Sequence, residues 1–153
     1  MILENIKERI SVLLVEDDED DICLVKKAFE KGKILNTLYA VRDGEEAMEF
    51  LCHTGRYKNK DKAPRPGIIL LDLNMPRMNG HEVLDKIKKD EELRRIPVII
   101  LTTSDAPGDI LESYDCGANT FITKPVEFNK FLDAILTLGK YWLSIAEVPT
   151  TIM

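Results

Sequence analysis

Short runs of uncharged, mostly branched residues alternate along this chain with stretches whose apolar positions recur every three or four residues. The first kind reads as strands over Ser11–Val15, Thr37–Val41, Ile68–Leu71, Pro97–Leu101 and Asn119–Thr123. A short continuous apolar run bounded by turn signals, as in Ile68-Ile69-Leu70-Leu71, is the mark of a strand buried on both faces. The second kind predicts a helix from near Asp20, with Ile22, Val25 and Phe29 inward and Gly32 as its stop. Further helices follow over Glu45–Leu51, with Ala47, Phe50 and Leu51 inward, and after Gly80, with Val83, Leu84 and Ile87 inward and Lys86, Lys88 and Lys89 outward. Asp105–Cys116 reads as a helix with Ile110, Leu111 and Tyr114 on one face and Gly117 as a left-handed terminator. The last helix starts near Glu127 and carries Phe128, Phe131, Leu132, Ile135 and Leu136 as its stripe.

Regular strand–helix alternation predicts a doubly wound parallel sheet of five strands in a three-layer α/β/α domain, joined by right-handed crossovers. Residues 1–10 are expected to form a short amphipathic lead-in, 11–140 the domain, and 141–153 an apolar tail with Trp142, Leu143, Ile145 and Val148. No repeat or second composition regime breaks the pattern, so no separate output domain is expected.

Composition narrows the classes. A net charge of −6 lacks the concentrated positive footprint of a general nucleic-acid binder. Cys23, Cys52 and Cys116 are widely spaced and form neither a disulfide framework nor a zinc motif, which fits a reducing cytosol. Met1–Ile10 carries Glu4, Lys7, Glu8 and Arg9 and so has no apolar signal core, and no apolar run approaches membrane-spanning length. A cytoplasmic protein with no nucleic-acid and no membrane partner is expected.

The chemistry gathers at strand ends. In an open parallel sheet, ligands bind in the crevice beyond the carboxyl ends of the strands. Four strands end there on Glu16-Asp17, Asp72, Thr102 and Lys124. Two carboxylate charges about 4 Å apart repel by about 4 kcal/mol at an effective dielectric near 20, so the acidic group needs a cation. All-oxygen ligands suit a hard, hydrated ion, magnesium before zinc, with the Asn74 main-chain carbonyl as a further ligand. Beside such an ion Asp72 is set up as a nucleophile toward phosphorus, forming an acyl phosphate. Lys124 would neutralise charge on the transferred oxygens, and the Thr102 hydroxyl would donate to one of them.

Other polar residues have plainer readings. Asp18 to Asp21 suit the positive end of a helix and are expected to be a solvated face. His53 and His81 lack metal-ligand spacing and are read as surface residues, as are the basic residues of the loop Cys52–Gly67. Met75 and Met78 are read as packing.

The ordered set Glu16-Asp17, Asp72-x-x-Met75-Pro76-x-Met78-x-Gly80, Thr102 and Lys124-Pro125 resembles the response-regulator receiver domains of two-component signalling, over Val12 to about Leu138. The resemblance implies a flavodoxin-like (βα)5 fold that accepts a phosphoryl group from a sensor histidine kinase. It makes Asp72 the phosphoacceptor, gives Asp17 and Asp72 direct contacts to magnesium with the Asn74 carbonyl, and leaves Glu16 mostly bound through water. It makes Thr102 the switch hydroxyl, Lys124 the phosphate-pairing lysine and Phe121 the aromatic switch residue, where tyrosine is frequent. It also implies a cis peptide before Pro125, since proline lowers the cost of that isomer. On phosphorylation, the face of Asp105–Cys116, Asn119–Thr123 and the last helix would change its preferred partner.

A narrower likeness rests on Ala63-Pro64-Arg65-Pro66, Leu101-Thr102-Thr103-Ser104, Ser113-Tyr114 and Tyr141-Trp142-Leu143. These resemble single-domain regulators partnered with bacterial phytochrome kinases, which tend to form homodimers through the last helices and strand. The apolar tail points the same way, to a dimer built from the C-terminal helix, strand five and tail. Two rivals fit less well. A haloacid-dehalogenase-type phosphatase wants a second aspartate where Asn74 stands, and a flavin carrier's phosphate loop would be repelled by Glu16-Asp17.

Overall fold

The computed structural model describes residues 10–145 and 148–149 of the 153. The lead-in expected over residues 1–10 lies outside the described residues except for Ile10, which is buried. Strands β1 (Val12–Val15), β2 (Leu38–Val41), β3 (Ile68–Leu71), β4 (Val98–Thr102) and β5 (Thr120–Thr123) form one parallel sheet in the order β2-β1-β3-β4-β5. The intervening helices are α1 (Glu19–Lys31), α2 (Gly44–Cys52), α3 (Gly80–Lys89), α4 (Pro107–Asp115) and α5 (Phe128–Lys140). This order is the flavodoxin-like doubly wound arrangement, with its crevice where the winding direction reverses between β1 and β3.

Alternation along the strands divides the core in two, because successive side chains point to opposite faces. Leu13, Val15, Ile69, Leu71 and Ile100 pack against Ala47, Phe50 and Leu51 of α2 and Val83, Leu84 and Ile87 of α3. Val12, Leu14, Ile68, Leu70 and Ile99 pack on the other face against Ile22, Val25 and Phe29 of α1 and Phe131 and Ile135 of α5. Helix starts follow capping chemistry. The Asp18 side chain accepts from the Asp20 and Asp21 amides, Asp43 from Glu46, and Asn79 from Glu82.

Helix α4 departs from its expected face. Leu111 and Tyr114 are 64% and 49% exposed, and the fully buried residue of the helix is Ser113. The buried Ser113 hydroxyl instead meets His81 of the neighbouring α3 at 3.0 Å. Lys88 also departs: its ammonium turns back to the Arg94 and Ile96 carbonyls at 3.2 and 3.1 Å and to Asn119 Oδ1 at 3.5 Å. Its stem thereby lies beneath Gly117, which has φ +102° and holds the tight turn into β5.

Of the tail expected over 141–153, residues 141–145 and 148–149 are described, and these are not free. Helix α5 continues into a π-helical turn, Tyr141–Ile145, and Leu143 is buried in the second core with Trp142 and Val148 packed against it. Phe128, expected on the inner stripe, is 44% exposed, while Leu138 and Gly139 are buried in its place. Among the described residues, no helix is long and apolar enough to cross a membrane.

Candidate functional site

The register of the sheet brings the strand ends together. Val15 is level with Leu71, Leu71 with Ile100, and Thr102 with Thr123. Glu16, Asp72 and Lys124, each one residue past its strand, therefore leave the sheet at one edge beside Thr102. Backbone hydrogen bonds continue to that edge: Asp72 N–H donates to the Val15 carbonyl at 3.0 Å and Lys124 N–H to the Thr102 carbonyl at 2.6 Å.

The segment after Asp72 is held close by Gly80. Its N–H donates to the Leu73 carbonyl at 2.9 Å, and a Cβ on Gly80 would stand 2.3 Å from the Asp72 carbonyl oxygen. Only glycine lets the start of α3 approach so near. Within the turn, Arg77 takes a left-handed φ of +68° and reaches Asp43 Oδ2 at 2.7 Å, while the Asn74 amide approaches Asp72 Oδ1 at 3.4 Å.

Glu16, Asp17 and Asp72 place one carboxylate oxygen each within 4.8 Å of one another. Glu16 and Asp72 are buried and Asp17 is exposed, so the group opens to solvent on the Asp17 side. Lys124, only 6% exposed, pairs closely with Glu16, lies 2.8 Å from Asp21 Oδ2 and stands 3.8 Å from Asp72 Oδ2. Burial pushes the Glu16 carboxyl up to about 7, and the neighbouring Asp72 charge pushes the same way against the opposing pull of Lys124. Burial works to lower the Lys124 ammonium, but its hydrogen bonds to Asp21 and Glu16 outweigh that and hold it above the ordinary lysine range.

Thr102 is fully buried and Ser104 N–H approaches its Oγ1 at 3.5 Å. Phe121 is half-buried against the first core, and its N–H donates to the Tyr114 hydroxyl at 3.1 Å. The peptide bond before Pro125 is trans, so the cis isomer expected there is corrected; trans is the intrinsically favoured form, by about 0.5–1 kcal/mol.

Three residues read as solvated or superficial turn out to be structured. Asp21, assigned to a solvated acidic face, is instead a partner of Lys124 from the first turn of α1. His81 is half-buried, with Nε2 3.0 Å from Ser113 Oγ and Nδ1 3.4 Å from Glu112 Oε2. His53 is likewise half-buried, with Nε2 2.8 Å from the Ala63 carbonyl.

Chemically, the edge combines an all-oxygen acidic group suited to a hard divalent cation with a buried ammonium and a buried hydroxyl. That combination can neutralise an anionic group brought to Asp72.

Comparison with known proteins agrees with this geometry. The response regulator receiver domain family matches residues 12–136. Response regulator Rcp1 of Synechocystis sp. is 39% identical over 138 residues, covering 90% of this chain and 92% of that protein. The crystal structure of the phosphorylated cyanobacterial phytochrome response regulator RcpA superposes with a TM-score of 0.87 at 41% identity, over 93% of this chain and 99% of that one. The Mn(2+)-bound form of Rcp1 gives a TM-score of 0.87 at 38% identity, over 92% of this chain and 99% of that one. Sequence, fold and strand-end chemistry converge: this chain is a member of the response-regulator receiver family.

Proposed function

We propose that Asp72 is the phosphoacceptor of this response regulator and that its phosphorylation by a sensor histidine kinase switches the α4-β5-α5 face. An Asp72 carboxylate oxygen attacks phosphorus, the P–N bond to the kinase's phosphohistidine breaks, and an aspartyl phosphate forms. The reading is carried by one observation: Asp72 shares its strand-end crevice with two further carboxylates and the Lys124 ammonium.

Asp17 and Asp72 are the direct carboxylate ligands proposed for magnesium, with the Asn74 main-chain carbonyl, and Glu16 contributes through water. When bound, magnesium offsets negative charge on the phosphoryl oxygens. Lys124 pairs with a phosphoryl oxygen, and the Thr102 hydroxyl donates to another. Drawing Thr102 inward frees space into which Phe121 turns. The added charge is roughly −1.5 to −2, a local event that biases a two-state face.

The kinase proposed is of the phytochrome type, because the relatives above include cyanobacterial phytochrome response regulators. Output is proposed to run through protein contact in the cytoplasm, by a homodimer across the α4-β5-α5 face. Leu111, Tyr114, Val126, Phe128 and Tyr141 support this as exposed large apolar side chains on those elements and the segments flanking them. The tail residues Trp142 and Leu143 do not, since they are committed to the chain's own core. A monomer in sedimentation at high concentration, with and without a phosphoryl mimic, removes the dimer.

The phosphoacceptor reading is tested by incubation with acetyl phosphate and magnesium followed by intact mass. The unmutated chain gains one phosphoryl group; Asp72→Asn gains none. Equal gain by both proteins refutes the assignment.

A further inference from the structure

We propose that His81, Asp109 and Glu112 form a second metal site, separate from the strand-end crevice, for a borderline divalent ion of the zinc class. One ligand atom from each of the three lies within 4.8 Å of the others. Asp109 and Glu112 are three residues apart on α4 and so share a face, and His81 faces them from the first turn of α3.

Hydrogen-bond direction decides the chemistry. Ser113 has one hydroxyl proton, and it is donated to the Asp109 carbonyl at 2.7 Å. The same oxygen is 3.0 Å from His81 Nε2, so it accepts there, and Nε2 carries the proton. Neutral His81 then presents a bare lone pair at Nδ1, 3.4 Å from a Glu112 carboxylate oxygen. Two acceptors facing each other are closed by a cation between them, and the spacing here suits a metal ion. A separation of 3.4 Å is close to the edge of a tetrahedron whose ligands lie about 2.0–2.2 Å from a zinc ion.

The surroundings have the form of an orienting shell. Ser113 is fully buried and fixes the imidazole tautomer and ring plane, while the Ser104 hydroxyl donates to the Asp109 carboxylate. Glu112 is 57% exposed at its side chain, which leaves a path for the ion. A mixed nitrogen and carboxylate donor set favours zinc over the hard ion suited to the all-oxygen crevice. Three protein ligands leave a fourth position for water.

The test is imidazole NMR of the full chain in saturating magnesium, with zinc chloride as the probe. The chain has two histidines, so His81→Gln assigns the signals. Zinc is expected to shift the His81 Nδ1 resonance saturably while leaving His53 in place. Glu112→Gln, an exposed change that spares the fold, is expected to weaken that response about tenfold or more. If His81 titrates with pH but is unmoved by zinc, a proton alone closes the pair and the site is overturned. An undiminished zinc response in Glu112→Gln also overturns it.

Discussion

Lys124 Nζ lies 2.8 Å from Asp21 Oδ2 and 3.8 Å from Asp72 Oδ2. The buried lysine is thus held by a carboxylate of α1 and by Glu16, and is only loosely engaged by the strand-end aspartate proposed to accept phosphorus. To pair with a phosphoryl oxygen it must give up part of that hold. Asp21→Asn weakens the competing bond by about 1 kcal/mol, so phosphorylation by acetyl phosphate is expected to quicken roughly fivefold. A time course of phosphorylated fraction measures this; an unchanged or slower rate means Asp21 does not restrain the lysine.

Glu16 sets a pH dependence in metal-free protein. Its carboxyl rises from an ordinary value of 4.5 to about 7 in the folded chain, with burial as the leading cause. Between those two values the folded state binds more protons than the unfolded one, so stability falls as pH rises through the window. Above about pH 7 the full penalty of the buried charge is present. Melting in the presence of a chelator is expected to be higher at pH 5.5 than at pH 7.5 for this group's contribution. Glu16→Gln is expected to flatten that difference, and an identical pH slope in the variant would show that another group controls it.

Gly80→Ala tests the turn that carries Asp72. The new Cβ would fall 2.3 Å from the Asp72 carbonyl oxygen and 2.6 Å from Leu73 Cα, both backbone atoms with little freedom to yield. Overpacking of this kind costs about 1–3 kcal/mol. Denaturant unfolding is expected to show a loss in that range, together with slower phosphorylation as the Asp72 carboxylate is displaced. A variant as stable as the unmutated chain would mean that the helix start relaxes freely.

Much of this architecture is legible in the sequence because a parallel strand buried on both faces leaves an unmistakable apolar run. Ile68–Leu71 stands in the structure where the sequence places it, the strand read over Ser11–Val15 starts one residue later at Val12, and the inward faces of α1, α2 and α3 are as expected. The gathering of Glu16, Asp17, Asp72 and Lys124 is legible for the same reason, since parallel strands deliver their carboxyl ends to one edge. What is hidden is polar packing. Ser113 is buried because His81 and a carbonyl satisfy its hydroxyl, and apolar periodicity cannot register that. Lys88 looks like one more surface lysine until three oxygens around its ammonium are counted. Asp21 disappears into a run of acidic residues, and only the distant Lys124 singles it out. The apolar tail misleads in the opposite sense: Leu143 and Trp142 serve the chain's own core, while Leu111 and Tyr114, expected inside, face solvent.

The central claim is that one aspartyl oxygen, that of Asp72, forms an acyl phosphate beside a bound divalent ion. Borohydride reduces an acyl phosphate at aspartate to homoserine, which marks the residue permanently. Protein treated with acetyl phosphate and magnesium, reduced and then peptide-mapped, is expected to carry homoserine at position 72 and at no other. Homoserine at position 17, or a phosphoryl gain with no reducible residue, would contradict the account.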